Sequence, residues 1–462
     1  MDLQAKVSRR EALKISAATT ATLALAACGG SNPASPSVSG PHTLNIWVWA
    51  GAALQQSGLK ALAAAYPNDF KNVKFNITTI PNGDQGLAQQ LSLALAAHKN
   101  VPDFFMLNYT ELPQFAEAGV LEEIGRVINP IKDDLYAGAL NISVYHGSYF
   151  AFPYELKSKL FYYRPDLFAQ AGINVDSITT PDDFIAAGQK FRAKFPNKYM
   201  MNLGTQPAGY LFHEMLSAFP NVSFADRSGN YSLTTNPAFT KAFSFLKQIH
   251  DSGIAQPIDD FSADWPAAIK NETIGGFLIA NWMKEFLPQY ATSAQASKWK
   301  AKTWPTLFPE ADERYGSDAG GSVFVVSKAS PNKDLAVETL TRYCLDKQGA
   351  LAAFGATGRA TLTKSTQPAL LDAISNTKKS ASMSDKDWQE LPQNFFGKDY
   401  YSTEFGTYDL AKTFGYDPKA VKEFTILQQW ADKMLQGKAS VEAALSGAQH
   451  DMQTQIGNPY QR

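Results

Sequence analysis

Residues 42–49, HTLNIWVW, begin the stretch of sequence that decides the fold. The run from Leu44 to Trp49 is apolar on both alternations, which predicts a short strand that is covered on both faces. Alternating elements follow along the chain: a helix at 52–66, a strand at 73–80, a helix at 86–98, a strand at 101–107 and a short helix at 112–118. Such alternation predicts an α/β fold with a parallel sheet and helices on its faces.

The alternation of strands and helices is interrupted around Tyr149, where two extended runs flank Pro153. The α/β alternation then resumes, with helices starting at Pro165, Pro181, Pro237 and Asp264 and strands at 274–280 and 322–327, before a mainly helical C-terminal part. No sharp change of composition separates domains. The pattern therefore leaves two interpretations open, namely interleaved domains or one large sheet.

The composition limits the classes of function. At roughly 150 residues per domain, 462 residues predict two or three domains. The 42 basic and 43 acidic side chains give a net charge of −1, which argues against a basic nucleic-acid-binding protein. Aromatic residues reach 12% while charged residues are only 18%. Because the polar ends of Trp and Tyr seek partners, this excess needs an explanation.

The first 27 residues are predicted to be a signal peptide. A twin-arginine start, residues 8–14, precedes the uncharged run 15–27, which is too short to span a bilayer as a helix. The following Leu25-Ala26-Ala27-Cys28 resembles the lipobox of bacterial lipoproteins. The resemblance implies that Cys28 is lipidated and that residues 28–41, rich in Gly, Ser and Pro, form a flexible linker. We expect an exported protein anchored to the outer face of the cytoplasmic membrane.

Enzyme signatures are missing from the sequence. It contains no G-x-S-x-G, no H-E-x-x-H, no P-loop and no G-x-G-x-x-G after a strand. With Cys28 acylated, Cys344 has no disulfide partner, and its helical face predicts a buried, inert thiol. We expect no metal and no cofactor. The acidic pairs Asp182/Asp183 and Asp259/Asp260 are compatible with a glycosidase, but the first pair fits the opening turn of a helix better.

Several aromatic residues follow predicted strands. Trp49 ends the first strand, and Tyr109 comes just after the third. Tyr154 lies in the extended runs around Pro153, and Trp282 follows the strand at 274–280. Ligands of doubly wound sheets bind beyond the carboxyl ends of the strands. For Trp47, which lies inside the first strand, core packing is the better interpretation. For Trp49, Tyr109 and Trp282, a core role and a ligand role remain equally open.

In order and spacing, segments along nearly the whole chain resemble the bacterial extracellular solute-binding proteins of carbohydrate ABC importers, the maltose-binding-like family. These segments are LNIWVWAG, LSLALAAHKNVPDFFMLNYTELPQFAEAGVLEEI, FPYELKSKLFYYRPDLFAQAGI, ITTPDDFIAAGQKF, IGGFLIANWM, GGSVFVVSKASPNKDLAVETLTRYC and NFFGKDYY. The resemblance implies a type II periplasmic-binding-protein-like fold whose two interleaved α/β lobes are joined by hinge crossings. Lobe one would comprise 42–153 and 322–365, and lobe two 154–318 and 366–462.

The resemblance also implies the ligand contacts. They would be Trp49, Gly51, Asn108, Tyr109, Glu111, Glu155 and Lys157, with Gln206, Trp282, Gly320, Gly321, Phe396 and Asp399 added from later segments. Gly51 and Phe396 depart from residues found at those positions in maltodextrin binders, which argues against maltose itself.

The function implied is that of a monomeric, lipid-anchored receptor that binds a sugar or oligosaccharide and delivers it to the permease subunits of an ABC importer. Two alternatives remain. One is the same fold serving a non-sugar solute, such as a glycerophosphodiester or a polyamine. The other is a secreted glycan-active hydrolase that uses carboxylates from separate segments, for example Glu111 with Asp399.

Overall fold

The structure is a computed structural model that describes residues 41–49, 51–81, 83–204, 215–219, 222–303, 308, 321–381, 383–411 and 414–461, without the side chains of residues 84 and 85. The predicted signal peptide, Cys28 and nearly all of the predicted linker lie outside these residues. Gln206 and Gly320 also lie outside them.

The strands, numbered in chain order, are β1 (His42–Val48), β2 (Val73–Thr79), β3 (Phe104–Asn108), β4 (Val144–Tyr145), β5 (Ser148–Tyr149), β6 (Ala151–Pro153), β7 (Lys159–Tyr163), β8 (Met201–Asn202), β9 (Ala255–Gln256), β10 (Gly276–Ala280), β11 (Lys300–Thr303) and β12 (Ser322–Val326).

The helices are α1 (Ala52–Ala65), α2 (Pro67–Phe70), α3 (Gly83–Ala97), α4 (Leu112–Glu117), α5 (Gly125–Ile128), α6 (Ala137–Asn141), α7 (Pro165–Gln170), α8 (Pro181–Lys194), α9 (Pro237–Asp251), α10 (Asp264–Lys270), α11 (Met283–Tyr290), α12 (Lys333–Leu340), α13 (Lys347–Thr357), α14 (Gln367–Ser375), α15 (Asp385–Glu390), α16 (Pro392–Phe395), α17 (Tyr400–Gly406), α18 (Ala420–Leu435) and α19 (Val441–Gln455). Short 3-10 turns span Asn129–Asp134, Val175–Ser177 and Ser293–Gln295, and a π turn spans Thr341–Leu345.

The first sheet has five strands in the order β2-β1-β3-β12-β6. The strands β1, β2 and β3 are parallel, as the alternation of strands and helices predicts. The strands β12 and β6 are not: β12 runs antiparallel to β3 on one side and to β6 on the other. The predicted parallel sheet is therefore confirmed for the first three strands and wrong for the last two, because β12 enters from a distant part of the chain and strand direction leaves no trace in hydropathy.

The second sheet has three strands in the order β10-β7-β11, and both pairings are antiparallel. Successive side chains of β7 point to opposite faces, so Tyr162 joins one apolar core with Trp265 and Trp299. Phe161 joins a second core with Phe191. The middle strand is thus buried on both faces.

Local capping explains where individual helices begin. The hydroxyl of Thr180 accepts from the amide of Asp183, whose carboxylate accepts from the amide of Thr180, and Pro181 opens α8. This reciprocal pair satisfies two amides that the helix cannot pair internally. The acidic pair Asp182/Asp183 is therefore part of a helix start, as the structural interpretation predicts.

Cys344 lies in the π turn after α12 and is buried. Burial raises the pKa of its thiol well above the usual range, which keeps the sulfur protonated. The placement matches the predicted inert core thiol.

Candidate functional site

The crossing between the two sheets is the segment 154–158, which leaves β6 and enters β7. Next to the five-stranded sheet, the amide of Glu155 donates to the carbonyl of Ser322 over 3.0 Å. The amide of Lys157 donates to the hydroxyl of Tyr109 over 3.3 Å. These two bonds tie the crossing to the start of β12 and to the residue that follows β3.

Asn281 holds the same crossing from the three-stranded sheet. Its backbone amide donates to the carbonyl of Ser158 over 2.8 Å. Its side-chain amide donates to the carbonyl of Leu156 over 3.0 Å. Because Asn281 directly follows β10, the crossing joins the ends of β3 and β10 at one place. Sequence reasoning missed Asn281 because one asparagine after a strand carries no distinctive signal.

The residues after β3 form a tight, buried turn. The amide of Asn108 donates to Oε2 of Glu111 over 3.1 Å, and the amide of Thr110 donates to Oδ1 of Asn108 over 3.3 Å. Asn108, Tyr109 and Glu111 are all buried. The turn therefore fixes an amide and a carboxylate, the group types that hydrogen-bond hydroxyls.

Gly321 allows the ring of Tyr109 to pack on the backbone just before β12. A Cβ at this position would lie 1.6 Å from the phenol oxygen of Tyr109 and 2.0 Å from its Cζ. No side chain fits at this distance. The position of Tyr109, and with it the bond to Lys157, consequently depends on a glycine at 321.

A compensated group of charges surrounds the crossing. Glu155 forms ion pairs with Arg359 and with Lys157, whose Nζ lies 3.2 Å from Oε2 of Glu155. The guanidinium of Arg359 lies 5.2 Å from the ring centroid of Tyr154. Burial lowers the pKa of Lys157, and the negative charges of Glu285 and Glu404 oppose this shift.

Arg359 is a second residue that sequence reasoning missed. It follows Gly358, which ends α13 in the left-handed conformation with φ 69°. A glycine after a helical pattern predicts a helix end. It does not predict that the next side chain reaches residue 155, about two hundred positions earlier in the chain.

The end of β1 contributes to the same region through α1. Trp49 is half-buried, and its indole Nε1 is buried without a hydrogen-bond partner among the described residues. Gly51 is exposed, with φ 66°, at the start of α1. One turn later, Nε2 of the buried Gln55 donates to the hydroxyl of Tyr154 over 2.7 Å. Gln55 therefore connects the Trp49 end of β1 to the crossing.

Trp282 follows Asn281 and is only 8% exposed. Its ring meets Phe286 edge-on, with ring centroids 5.7 Å apart. Phe261 stacks against it at 5.2 Å. Trp282 thus lies beside the crossing, but Phe261 covers part of it.

A buried ion pair between Lys284 and Glu404 supports Asn281. Nζ of Lys284 lies 2.8 Å from Oε1 and 2.9 Å from Oε2 of Glu404. The side-chain amide of Asn281 and the hydroxyl of Tyr408 donate to the same Oε1 over 2.8 and 2.7 Å. Both carboxylate oxygens of Glu404 are therefore hydrogen-bonded, and this carboxylate fixes the side chain of Asn281, which bonds the crossing.

We call the residues gathered around the crossing the crossing site: Trp49, Asn108, Tyr109, Glu111, Glu155, Lys157, Asn281, Trp282, Gly321 and Arg359. The structure does not bring two of the predicted contacts to this place. Phe396 is buried and packs on Tyr162 and Tyr400. Asp399 is exposed and lies close to Gly397 and Lys300, and Lys300 pairs with Tyr163.

Tyr163 is the last residue of β7, whereas the crossing enters at Lys159. At about 3.3 Å per residue, the four residue steps from Lys159 to Tyr163 span roughly 13 Å, so Lys300 pairs with the end of β7 that is farther from the crossing. A glycosidase needs its two carboxyl groups about 5–9.5 Å apart.

Within the described part of the chain, no three His, Cys, Asp or Glu side chains are grouped so that they could hold a metal ion. The crossing site combines amide and carboxylate groups with aromatic rings, and its two cations are paired with Glu155. Such a set suits a neutral, hydroxyl-rich ligand with apolar C–H faces better than an anion.

Comparison with known proteins gives a family match over most of the chain. The model of the family described as "Bacterial extracellular solute-binding protein" matches residues 51–351. The chain is 24% identical over 326 residues to the arabinooligosaccharide-binding protein of Bacillus subtilis, covering 69% of this chain and 72% of that protein. It is 26% identical over 347 residues to the diacetylchitobiose binding protein DasA of Streptomyces coelicolor, covering 71% of this chain and 77% of that protein.

Solved structures show the same fold. The galacto-N-biose/lacto-N-biose I-binding protein of Bifidobacterium longum, in complex with lacto-N-biose, has a TM-score of 0.72 at 19% identity, over 91% of this chain and 99% of its own. The sugar-binding protein MalE from Xanthomonas citri has a TM-score of 0.70 at 17% identity, over 88% of this chain and 95% of its own. The predicted two-lobed periplasmic-binding-protein fold is confirmed.

No helix in the ranges that the structure describes is long and apolar enough to cross a bilayer.

Proposed function

The chain belongs to the bacterial extracellular solute-binding proteins, and from this membership we propose that it binds a sugar or oligosaccharide at the crossing site and delivers it to the permease subunits of an ABC importer. One observation carries the proposal. Side chains that follow strands of both sheets meet at a crossing that combines aromatic rings, hydroxyl-binding groups and paired charges.

The chemistry of a sugar matches these groups. The C–H face of a pyranose stacks on an aromatic ring, and its hydroxyls donate to carboxylate and amide oxygens. Trp49 offers an indole N–H that has no hydrogen-bond partner among the described residues, and leaving such a donor unsatisfied costs about 1–3 kcal/mol. A hydroxyl oxygen of the ligand would satisfy it.

Binding and lobe closure would be coupled through the crossing. Tyr109 bonds it from the first sheet and Asn281 bonds it from the second. A ligand that contacts both sides favours the arrangement in which the two sheets approach, and hinge closure of this kind shifts a population that exists without ligand.

We propose binding without turnover. Two observations support this proposal: the carboxylate of Glu111 accepts from the amide of Asn108 within its own turn, and Lys300, which lies close to Asp399, pairs with the far end of β7. For a phosphodiester, the crossing site offers Arg359 and Lys157, but both are paired with Glu155. For a polyamine, unpaired acidic groups would be needed around the rings. A neutral sugar needs neither and remains the ligand proposed.

The proposed attachment to the membrane rests on the predicted signal peptide and lipobox. We propose that Cys28 carries the lipid anchor and that the following linker holds the lobes away from the membrane, close to the permease. Expression of Cys28→Ser in a bacterium fed radiolabelled palmitate tests the anchor: the variant is expected unlabelled and released, and label retained by the variant would contradict it.

Calorimetry against a panel of neutral mono- and oligosaccharides, one glycerophosphodiester and one polyamine tests the function. We expect binding to a neutral sugar, weakened about tenfold or more by Trp49→Ala, which corresponds to roughly 1.4 kcal/mol of lost binding free energy. Trp430→Ala is the matched control, because Trp430 is also half-buried but lies on α18, where its indole donates to Asp451. Binding only to the charged compounds, or equal loss in both variants, would contradict the proposal.

A further inference from the structure

One end of the first sheet lies far from the crossing site. Because β1, β2 and β3 are parallel, their amino ends lie together, opposite the carboxyl ends that lead to Trp49 and Tyr109. The strand β12 runs antiparallel to β3, so its carboxyl end returns to the same place. The seven residues of β1 span about 23 Å at 3.3 Å per residue, and this length separates the two ends of the sheet.

Hydrogen bonds join the segments at this end, which are residues 42–45, 69–74, 98–103 and 327–334. The amide of His42 donates to the carbonyl of Asn72 over 2.9 Å, which joins the starts of β1 and β2. The amide of Asn45 donates to Oδ2 of Asp103 over 2.7 Å, and the amide of Ser327 donates to the carbonyl of Asp103 over 3.0 Å. Since Asp103 precedes β3 and Ser327 follows β12, all four segments form one surface.

The exposed lysines of these segments have no acidic partner. They are Lys71, Lys74, Lys99 and Lys328, and within the described ranges none of them forms an ion pair. The acidic side chains of the same segments are compensated or buried: Asp69 pairs with Arg342, Asp334 pairs with Arg126, and Asp103 is buried. Loss of the predicted signal peptide, with four basic and two acidic residues, would change the net charge from −1 to −3. The unpaired positive charge at this end is therefore opposite in sign to the whole mature chain.

An exposed apolar side chain lies next to these lysines. The helix α3 connects the carboxyl end of β2 with the amino end of β3, so its last turn reaches the same surface. Leu93 lies one turn before the end of α3 and is 66% exposed, and Ala96 and Ala97 are exposed as well. Apolar side chains combined with basic ones are typical of surfaces that bind the interface of an anionic bilayer.

The chain that leads to the predicted lipid anchor also leaves from this end. Cys28 precedes His42 by 14 residues. A chain of that length spans at most about 50 Å when extended, and about 20 Å on average if it is rich in Gly and Ser. A bilayer that holds Cys28 therefore lies within reach of the lysines, whereas the crossing site is farther from His42 by the length of β1.

We propose that a basic end, defined as Lys71, Lys74, Lys99, Lys328 and Leu93, docks on the anionic phospholipid headgroups of the membrane that holds Cys28, so that the crossing site faces away from the bilayer. The inference rests on the proposed lipid anchor and adds an orientation to it. The ammonium groups contact headgroup phosphates, and Leu93 enters the apolar boundary. A tether alone permits every orientation, but the basic end selects the one in which a ligand from outside the cell membrane reaches the crossing site.

A fluorescent label on the lipid-anchored chain tests this orientation. Leu93→Cys receives a thiol-reactive dye, and the label is specific because Cys344 is buried and Cys28 would be acylated. The protein is inserted into preformed vesicles of phosphatidylcholine, with or without phosphatidylglycerol, that carry a quencher linked to the lipid headgroup. Ala193→Cys is the matched label position, because Ala193 is exposed on α8, which packs in the second apolar core.

We expect the dye at position 93 to be quenched at least twofold more in the vesicles that contain phosphatidylglycerol. The difference should vanish at 1 M salt, where the screening length is only about 3 Å. The dye at position 193 should respond equally in both vesicles. Glutamine in place of all four lysines of the basic end should abolish the difference at position 93. The control variant, which should keep it, carries glutamine at four exposed lysines elsewhere: Lys190, Lys194, Lys298 and Lys438.

Equal quenching at position 93 in the two kinds of vesicle would overturn the docking. So would a difference that persists at 1 M salt or in the variant without the four lysines. Quenching that appears only after permease subunits are added would assign the surface to a protein partner and would also overturn it. Mass spectrometry of the same preparation detects lipid on Cys28: a chain without lipid overturns the anchor and with it the orientation, whereas a lipidated chain with equal quenching overturns the docking alone.

Discussion

The buried ion pair between Lys284 and Glu404 provides the sharpest test of how the crossing is held. The side chains are 9% and 1% exposed, and two nitrogen–oxygen distances of 2.8 and 2.9 Å join them. Removing one partner of a buried pair leaves an uncompensated charge, which costs about 3–5 kcal/mol. We therefore expect Lys284→Met and Glu404→Gln each to lower the free energy of unfolding by roughly that amount.

The double variant shows whether the charge is the cause. Glu404→Gln keeps an oxygen that accepts from Asn281 and Tyr408, whose donors lie 2.8 and 2.7 Å from Oε1 in the wild-type protein. With Lys284→Met added, neither charge remains in the core. The double variant should consequently cost less than the sum of the single variants, by a coupling energy of about 2 kcal/mol or more.

Urea titrations of the four proteins, followed by circular dichroism, measure the cycle. The exposed pair Lys247–Asp251, at 2.7 Å and spaced four residues apart on α9, is the matched control, and its coupling energy should be about 0.5 kcal/mol or less. Single-variant effects that add without coupling, or a coupling no larger than that of the exposed pair, would refute the assignment of a buried, charge-dependent anchor.

Two further predictions concern packing and pH. Gly321→Ala should displace the ring of Tyr109, because the new Cβ would lie 1.6 Å from its hydroxyl, and calorimetry should show weaker ligand binding together with a loss of about 1–3 kcal/mol of stability. Gly355→Ala, with nothing within 4 Å inside α13, is the control and should stabilise the protein by about 0.5–1 kcal/mol. For Glu423, burial and the charge of Asp417 raise the pKa from 4.5 to about 9, so the folded state keeps a proton that the unfolded chain releases. Stability should then fall as the pH rises from the pKa of the unfolded state towards the raised pKa of the folded state, and the melting temperature of Glu423→Gln should depend less on pH; parallel curves would contradict this.

The sequence predicted those parts of the fold that depend on local residue patterns. The apolar run at Leu44 correctly predicted a strand, but the prediction that both faces are covered is wrong. Leu44, Ile46 and Val48 are buried, whereas Thr43 and Asn45 on the other face are exposed and Trp47 is half-buried. Pro181 and Pro237 predicted helix starts because proline fixes φ and lacks the amide that a first turn leaves unpaired. The antiparallel direction of β12 was not predicted by the local pattern, because β12 pairs with β3 from more than two hundred residues away.

The candidate site likewise contains some residues that the sequence indicated and others that it did not. Tyr109 and Trp282 were proposed because each comes just after a predicted strand, and Asn108 was proposed from the family resemblance; the structure places all three at the ends of β3 and β10. Arg359 was not predicted. It reaches the crossing from the end of a helix and pairs with Glu155, about two hundred residues earlier in the chain. Hydropathy and residue spacing carry no signal for such a contact.

The bonds that hold the crossing bear on how ligand specificity can change in this chain. The crossing is held by backbone groups: the amides of Glu155 and Lys157 and the carbonyl of Leu156 form its bonds to both sheets. Because two of these bonds are made to the side chains of Tyr109 and Asn281, substitution of either residue is expected to disturb the crossing as well as the ligand contacts. Substitution of side chains that form no bond to the crossing can change the ligand contacts alone.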